Sequence, residues 1–204
     1  MIKVYALSGS HGIGKTTTFA YLKRLLPLYD TEKFAFVGEF ADSILNQMDI
    51  RQNWKEKIFT NRPAYNYFEN ALDFCTIASY LVHKNKIIVA DRSIVDMCAY
   101  RLLAGLPLNT IHLLDFHEVN LYTFLMRSRK REDAEVTMAV KKMLVRFKLP
   151  FEEVNIKEAK IPKNADDHVV MNIINHQAKE TARIIADKIL EIEKNNDPNQ
   201  FQNR

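Results

Sequence analysis

The chain has 204 residues, 47% of them hydrophobic and 26% charged, a balance that supplies a full-sized core and excludes disorder over most of its length. Its 29 basic and 25 acidic residues leave a net charge of +4, too small to argue for a nucleic-acid partner. No apolar run approaches the roughly 20 residues that span a bilayer, and Met1 leads straight into a β-like run without a leader pattern, so the expectation is a cytoplasmic protein with no membrane partner.

In chain order, Ile2 to Leu7 is a short β-rich run that meets Ser8-Gly9, and a helix-compatible stretch runs from Lys15 to Pro27. A second run, Phe34 to Val37, ends at Gly38-Glu39, after which Phe40 to Met48 reads as helical. Residues 49 to 62 are polar and irregular around Trp54, and a long helix-like stretch follows Pro63 to about His83. Ile87 to Ala90 is apolar without alternation, the pattern of a central parallel strand, and it delivers Asp91-Arg92-Ser93. Apolar residues at helical spacing then run from Ile94 until Gly105 and Pro107 break the pattern.

Leu121 to Met126 is the fourth strand, ending at the basic cluster Arg127, Arg129, Lys130, Arg131, and a helix spans about Ala134 to Lys148. For the fifth strand Val154 to Ile156 competes with Lys157 to Ile161. Asp166 can cap a terminal helix whose apolar stripe, through residues such as Val170, Ile185 and Ile192, either packs on the sheet or makes a homodimer face. One domain over 1–194 and a polar tail over 195–204 are expected. Cys75 and Cys98 lie in apolar segments far from any metal spacing and read as reduced core residues.

Alternating strands and helices imply a three-layer α/β/α sandwich around a parallel, five-stranded sheet, with ligands gathered outside the carboxyl ends of the strands. Gly9, Glu39, Asp91 and Arg127 all lie at such ends. The segment Gly9-Ser10-His11-Gly12-Ile13-Gly14-Lys15-Thr16 fits G-x-x-x-x-G-K-[ST], which arises by chance in roughly one chain in a hundred at average composition. Here it also lies between a strand and a helix. Its glycines let successive N–H groups point inward at polyphosphate, joined by the helix N-terminus, so Gly9, His11, Gly12, Ile13, Gly14, Lys15, Thr16 and Thr17 form the expected ATP cradle. Lys15 is placed to bridge the outer phosphates and Thr16 to offer its hydroxyl to Mg²⁺.

The remaining candidates each carry two readings. Asp91 is a metal-orienting carboxylate or a helix cap, a role for which Ser93 is the better residue. Arg92 can grip a phosphate or a carboxylate with two donors. Glu39 is a general base for an attacking hydroxyl or a solvated acid, and the cluster near 127–133 is a lid or a basic turn. Tyr65, Tyr67, Phe68 and Phe74 are core or a stacking wall.

The P-loop, Gly38-Glu39-Phe40-Ala41 after the second strand, Asp91-Arg92-Ser93 after the third and an arginine-rich segment after the fourth resemble the deoxynucleoside kinase and thymidylate kinase group over about residues 2 to 150. The resemblance implies that Lys15 and Thr16 serve ATP and Mg²⁺, that Glu39 matches the general base, that Asp91 and Arg92 match the acid–arginine pair, and that Arg127, Arg129 and Arg131 are lid candidates. Two positions depart from it. Ala64 to His83 holds no arginine where thymidylate kinases place one, and Phe68-Glu69 stands where deoxynucleoside kinases carry Phe-Gln. The expected activity is γ-phosphoryl transfer from ATP to a hydroxyl of a small nucleoside-like acceptor. A nucleoside monophosphate kinase using Arg62 or Arg92, and a regulatory ATPase without soluble acceptor, are the alternatives.

Overall fold

A computed structural model describes residues 1–48, 57, 58, 60–108, 118–127, 134–156, 162 and 164–196. Five strands, β1 (Ile2–Ser8), β2 (Phe34–Val37), β3 (Ile87–Asp91), β4 (Val119–Arg127) and β5 (Phe151–Asn155), form one parallel sheet in the order β2-β3-β1-β4-β5. The two strands flanking β1 come from opposite halves of the chain. Every residue of β3 is buried, which is why its sequence is an unbroken apolar run up to Asp91.

The α-helices among the described residues are α1 (Lys15–Leu25), α2 (Ala41–Gln47), α3 (Arg62–Val82), α4 (Ile94–Leu103), α5 (Ala134–Arg146) and α6 (Asp167–Asn196). On one face α1 and α6 pack Phe19, Leu22, Ala182, Ile185 and Ile189 against Tyr5, Leu7, Val89 and Phe124. On the other, α3, α4 and α5 bury Tyr80, Val95, Cys98, Val140 and Leu144 against Val4, Ala6, Ile88 and Leu121. These are the expected three layers; the α6 stripe packs on the sheet from Ala182 to Ile192, while Ile174 of its first half is exposed. Leu45, Ile58, Tyr65, Phe68, Leu72, Met97 and Leu106 close a smaller cluster under α2, α3 and α4.

Several boundaries move by a few residues. α3 starts at Arg62 because the Asn61 side chain accepts from the Ala64 N–H, and α6 follows a cap in which Asp166 Oδ1 accepts from the Val169 N–H at 2.8 Å. α6 runs to Asn196, two residues into the expected polar tail, while 197–204 lie outside the described residues. β5 begins at Phe151, earlier than Val154, since pairing with β4 recruits the half-exposed Glu152 and Glu153 as edge residues. The rival strand at 157–161 and the stretch around Trp54 lie outside the described residues. Cys75 and Cys98 are both free, and burial pushes the Cys98 thiol up to about 12. Among the described residues no helix is long and apolar enough to cross a membrane.

Candidate active site

The cradle follows from glycines held where other residues are strained. Gly9, Gly12 and Gly14 have φ of 132°, 64° and 91°. At Gly9 a Cβ would lie 2.5 Å from the Met126 carbonyl oxygen, so the loop can leave β1 against β4 only without a side chain. Gly14 is the N-cap of α1 and offers no side-chain cap, and the first turn holds no acidic residue. The N-terminal N–H groups of α1 are thus left for an anion, and nothing in the turn repels one.

Lys15 is buried, and its Nζ donates to the loop's own Ser10 carbonyl at 2.6 Å. Burial and the neighbouring Arg92 lower its pKa to about 8, against the pull of Asp96, Asp91 and Glu39. A polyphosphate would supply the negative charge this ammonium lacks. Ser10 Oγ also pairs with Thr137 Oγ1 at 2.8 Å, tying the loop to α5.

Asp91 ends β3 opposite Leu7 and is buried, with Thr16 hydrogen-bonded to its side chain. Burial raises its pKa, Thr16 opposes that, and its Oδ1 has no hydrogen-bond partner. Asp91 does not cap α4. Ser93 does, in a capping box with Asp96, whose Oδ2 also accepts from Ser8 Oγ at 2.6 Å. An orphaned carboxylate oxygen beside a threonine hydroxyl fits Mg²⁺ shared with phosphates. Among the described residues no group of three His, Cys, Asp or Glu could hold a metal by itself.

Arg92 adopts φ 75°, and its backbone N–H donates to Leu7 O at 3.0 Å. Its Nε donates to Glu39 Oε1 at 2.7 Å, Nη2 lies 3.2 Å from His11 Nδ1, Nη1 lies 3.6 Å from Asp96 Oδ1, and the guanidinium sits over the Tyr100 ring. His11 Nε2 is 2.9 Å from the Tyr100 hydroxyl. Burial alone would weaken the Arg92 charge, but Tyr100, Asp96, Glu39 and Asp91 raise its pKa above the ordinary arginine value.

These residues wall a cavity of about 270 Å³ between the P-loop and α2, α3 and α4. Tyr65, Phe68, Leu72 and Met97 form its apolar side, and among the described residues its charged lining is Glu39, Asp42, Glu69, Asp96 and Arg92. Of the four aromatic residues singled out by sequence, Tyr65 and Phe68 line this wall and Tyr67 and Phe74 are exposed. A larger hollow of about 400 Å³, near Lys3, Lys33, Lys86 and Glu193, opens at the amino ends of the strands, away from the cradle.

No protein-family model and no curated protein matches the sequence. Among solved structures, the thymidylate kinase from Ehrlichia chaffeensis is similar over 90% of this chain and 98% of its own, at 17% identity and a TM-score of 0.49. FlhF complexed with GMPPNP and Mg²⁺ is similar over 85% of this chain and 61% of its own, at 19% identity and a TM-score of 0.33. Neither likeness is close enough to assign an acceptor.

The structure brings Lys15, Thr16, Glu39, Asp91 and Arg92 to one edge of the sheet. Arg127 is the last residue of β4, and its guanidinium pairs with Glu153 of β5, a carboxylate that Lys141 also contacts at 2.7 Å. Arg129 and Arg131, with the rest of the expected lid from 128 to 133, lie outside the described residues. Sequence reading missed Asp96, Ser8 and Thr137, which reach the loop through the pairs Ser8–Asp96 and Ser10–Thr137, distant in the chain.

Proposed function

We propose that the protein transfers the γ-phosphoryl group of ATP, with Mg²⁺, to a hydroxyl of a small nucleoside-like acceptor. The observation that carries this reading is the second cavity adjoining the cradle and sharing His11 with it, with the Glu39 carboxylate in its wall. A regulatory ATPase needs the cradle but not that cavity.

In this reading the acceptor's hydroxyl oxygen bonds to the γ-phosphorus as the bond to the β–γ bridging oxygen breaks, and ADP leaves. Glu39 takes the hydroxyl proton on Oε2, since Oε1 is held by Arg92 Nε. Lys15 swings from Ser10 O to the outer phosphates, and backbone N–H groups of the loop hold the rest. Mg²⁺, held through Thr16 and Asp91, would neutralise charge between the β- and γ-phosphates. Walls contributed by α2, α3 and α4 orient the acceptor and exclude water.

A monophosphate acceptor is less well served. Arg62 donates to Gly105 O at 2.6 Å and does not line the cavity, while Arg92 is offset by Glu39 and Asp96.

Glu39→Gln tests the reading, because it keeps size and the bond from Arg92 but removes the base. ATP affinity should hardly change, and acceptor-dependent turnover should fall by about 10²- to 10⁴-fold. If no nucleoside or monophosphate in a panel stimulates ATP consumption by the wild type, and Glu39→Gln leaves basal hydrolysis unaltered, the regulatory ATPase replaces this reading. Stimulation by monophosphates alone would select the monophosphate kinase.

A further inference from the structure

The outer face of α3 is apolar and carries no charge. From Pro63 to Val82 the only charged side chains are Glu69 and Asp73, and both are buried. Tyr67, Ala71, Phe74, Ala78 and Leu81 recur at alternating steps of four and three, which keeps them on one stripe of the helix. Tyr67 is 74% exposed, Phe74 59%, Leu81 50% and the adjoining Val82 78%. A helix face turned only to water is polar and charged. Exposed apolar side chains on the other long helices do sit among charges. Met138 of α5 lies one turn from Glu135, Lys141 and Lys142, and Ile184 of α6 one turn from Glu180, Asp187 and Lys188.

We propose that this stripe is the interface of a homodimer, in which α3 of one copy packs antiparallel against α3 of a second about a two-fold axis passing between positions 72 and 73. The stripe is complementary to itself in that register. Reversing the helix about this axis sets Tyr67 of each copy opposite Ala78 of the other, Phe74 opposite Ala71 and Leu81 opposite Ala64, so every large side chain meets an alanine. Charge favours the same occupant, because an uncharged face meets its own copy without like-charge repulsion and offers no counter-charge to an acidic or basic partner. Area is sufficient as well. At about 200 Å² per ring, the exposed parts of Tyr67 and Phe74 on two copies present roughly 500 Å², about half of what a specific interface needs before Leu81, Val82 and the rim are counted. The inner face of α3 carries Tyr65, Phe68 and Leu72 to the cavity, so the two copies stand back to back and each cavity keeps its own wall.

Sedimentation velocity of the full chain from about 0.5 to about 50 μM tests the pairing, since an interface at the small end of the specific range gives micromolar dissociation. The wild type should sediment at twice 23.8 kDa at the top of that range and dissociate on dilution. Phe74→Glu sets like charges close to the axis and should weaken association at least about a hundredfold. Because Phe74 is exposed in the single chain, this variant should keep the thermal midpoint of the dilute, monomeric wild type. Met138→Glu alters an exposed apolar residue of α5 and should leave the dimer intact. Register is read by disulfide formation in a Cys75→Ser background. Tyr67→Cys combined with Ala78→Cys should link two copies, whereas each single cysteine lies about 16 Å along the axis from its own counterpart and should not.

A wild type that stays monomeric up to about 50 μM would overturn the proposal, because a specific interface of this size holds well below that concentration. A dimer that survives Phe74→Glu would overturn it too, as would one abolished by Met138→Glu, which would move the face to α5. Linking through Tyr67→Cys alone would replace the antiparallel pair by a parallel one and remove the register proposed. None of these measurements uses ATP or an acceptor, so the pairing and the phosphotransfer reading stand or fall separately.

Discussion

Replacing Lys15 by methionine keeps the length and apolar stem of the side chain and removes the ammonium, which isolates what the buried charge costs and what it does. In the folded chain the Lys15 pKa is down to about 8 from 10.5, because burial and Arg92 disfavour the charge. The folded state therefore binds this proton less tightly than the unfolded state. Its contribution to stability is fully present above pH 10.5 and is lost as the pH falls from 10.5 to 8. At pH 7 the charged lysine costs about 3 kcal/mol. The bond from Nζ to Ser10 O returns about 1 kcal/mol of that. Lys15→Met should accordingly gain about 2 kcal/mol at pH 7 in urea unfolding, and the gain should vanish near pH 10. Turnover should fall by orders of magnitude, since the ammonium stabilises the transferring phosphoryl. A non-hydrolysable ATP analogue should restore the proton: at pH 8.5, calorimetry in buffers of different ionisation enthalpy should show uptake of about 0.8 proton on binding, absent in Lys15→Met. Uptake near zero in the wild type, or a methionine variant less stable at pH 7, would refute the buried, anion-seeking lysine and with it the cradle assignment.

Gly9→Ala should destabilise the fold by about 3 kcal/mol in urea unfolding, because its Cβ meets the Met126 carbonyl, which is sheet backbone and cannot yield cheaply, and φ 132° is strained for alanine. Asp91→Asn should raise the Mg²⁺ concentration giving half-maximal ATP turnover at least tenfold, and the pH dependence works in the same direction. Since burial raises the Asp91 pKa, wild-type Mg²⁺ affinity should weaken on acidification at pH values where an ordinary carboxylate is still ionised, and titration of Mg²⁺ dependence from pH 8 to pH 5 measures this.

What could be read from sequence was whatever a local pattern encodes. The apolar run Ile87 to Ala90 located a central strand, and with it the exit of Asp91. The glycine spacing located the loop of left-handed glycines that opens α1, and Ser93, not Asp91, could be chosen as the cap because a hydroxyl before Ile94 and Val95 is a local signal. What could not be read depends on pairs. Ser8 and Asp96 are 88 residues apart, and Ser10 and Thr137 are 127 apart, so neither periodicity nor spacing hints that they touch. The partner of Arg127 was hidden for the same reason: a basic residue at a strand end looks free until the register with β5 supplies Glu153. Glu69 drew notice only as part of Phe68-Glu69, since a glutamate on an amphipathic helix gives no sign of facing a cavity or of keeping a bare oxygen.

The conformation of Arg92 shows how one strand exit serves both halves of the site. A left-handed residue other than glycine costs on the order of 1 kcal/mol, and glycine would meet the backbone requirement at φ 75° without that cost. The strain is sustained because the N–H is tied to Leu7 O and the guanidinium is held by Glu39, His11 and Tyr100. The left-handed step also ends β3 abruptly, so that Ser93 can cap α4 one residue later. Asp91 is left bonded to Thr16 beside the glycine loop, while Arg92 reaches Glu39 in the cavity that we propose takes the acceptor. A regular strand could not end so sharply and still direct two adjacent charges to two adjoining compartments. A glycine at this position would relieve the backbone but release Glu39, the carboxylate on which the proposed proton transfer depends. Strain retained where glycine would be cheaper therefore points to the side chain's work at the site, not to the turn alone.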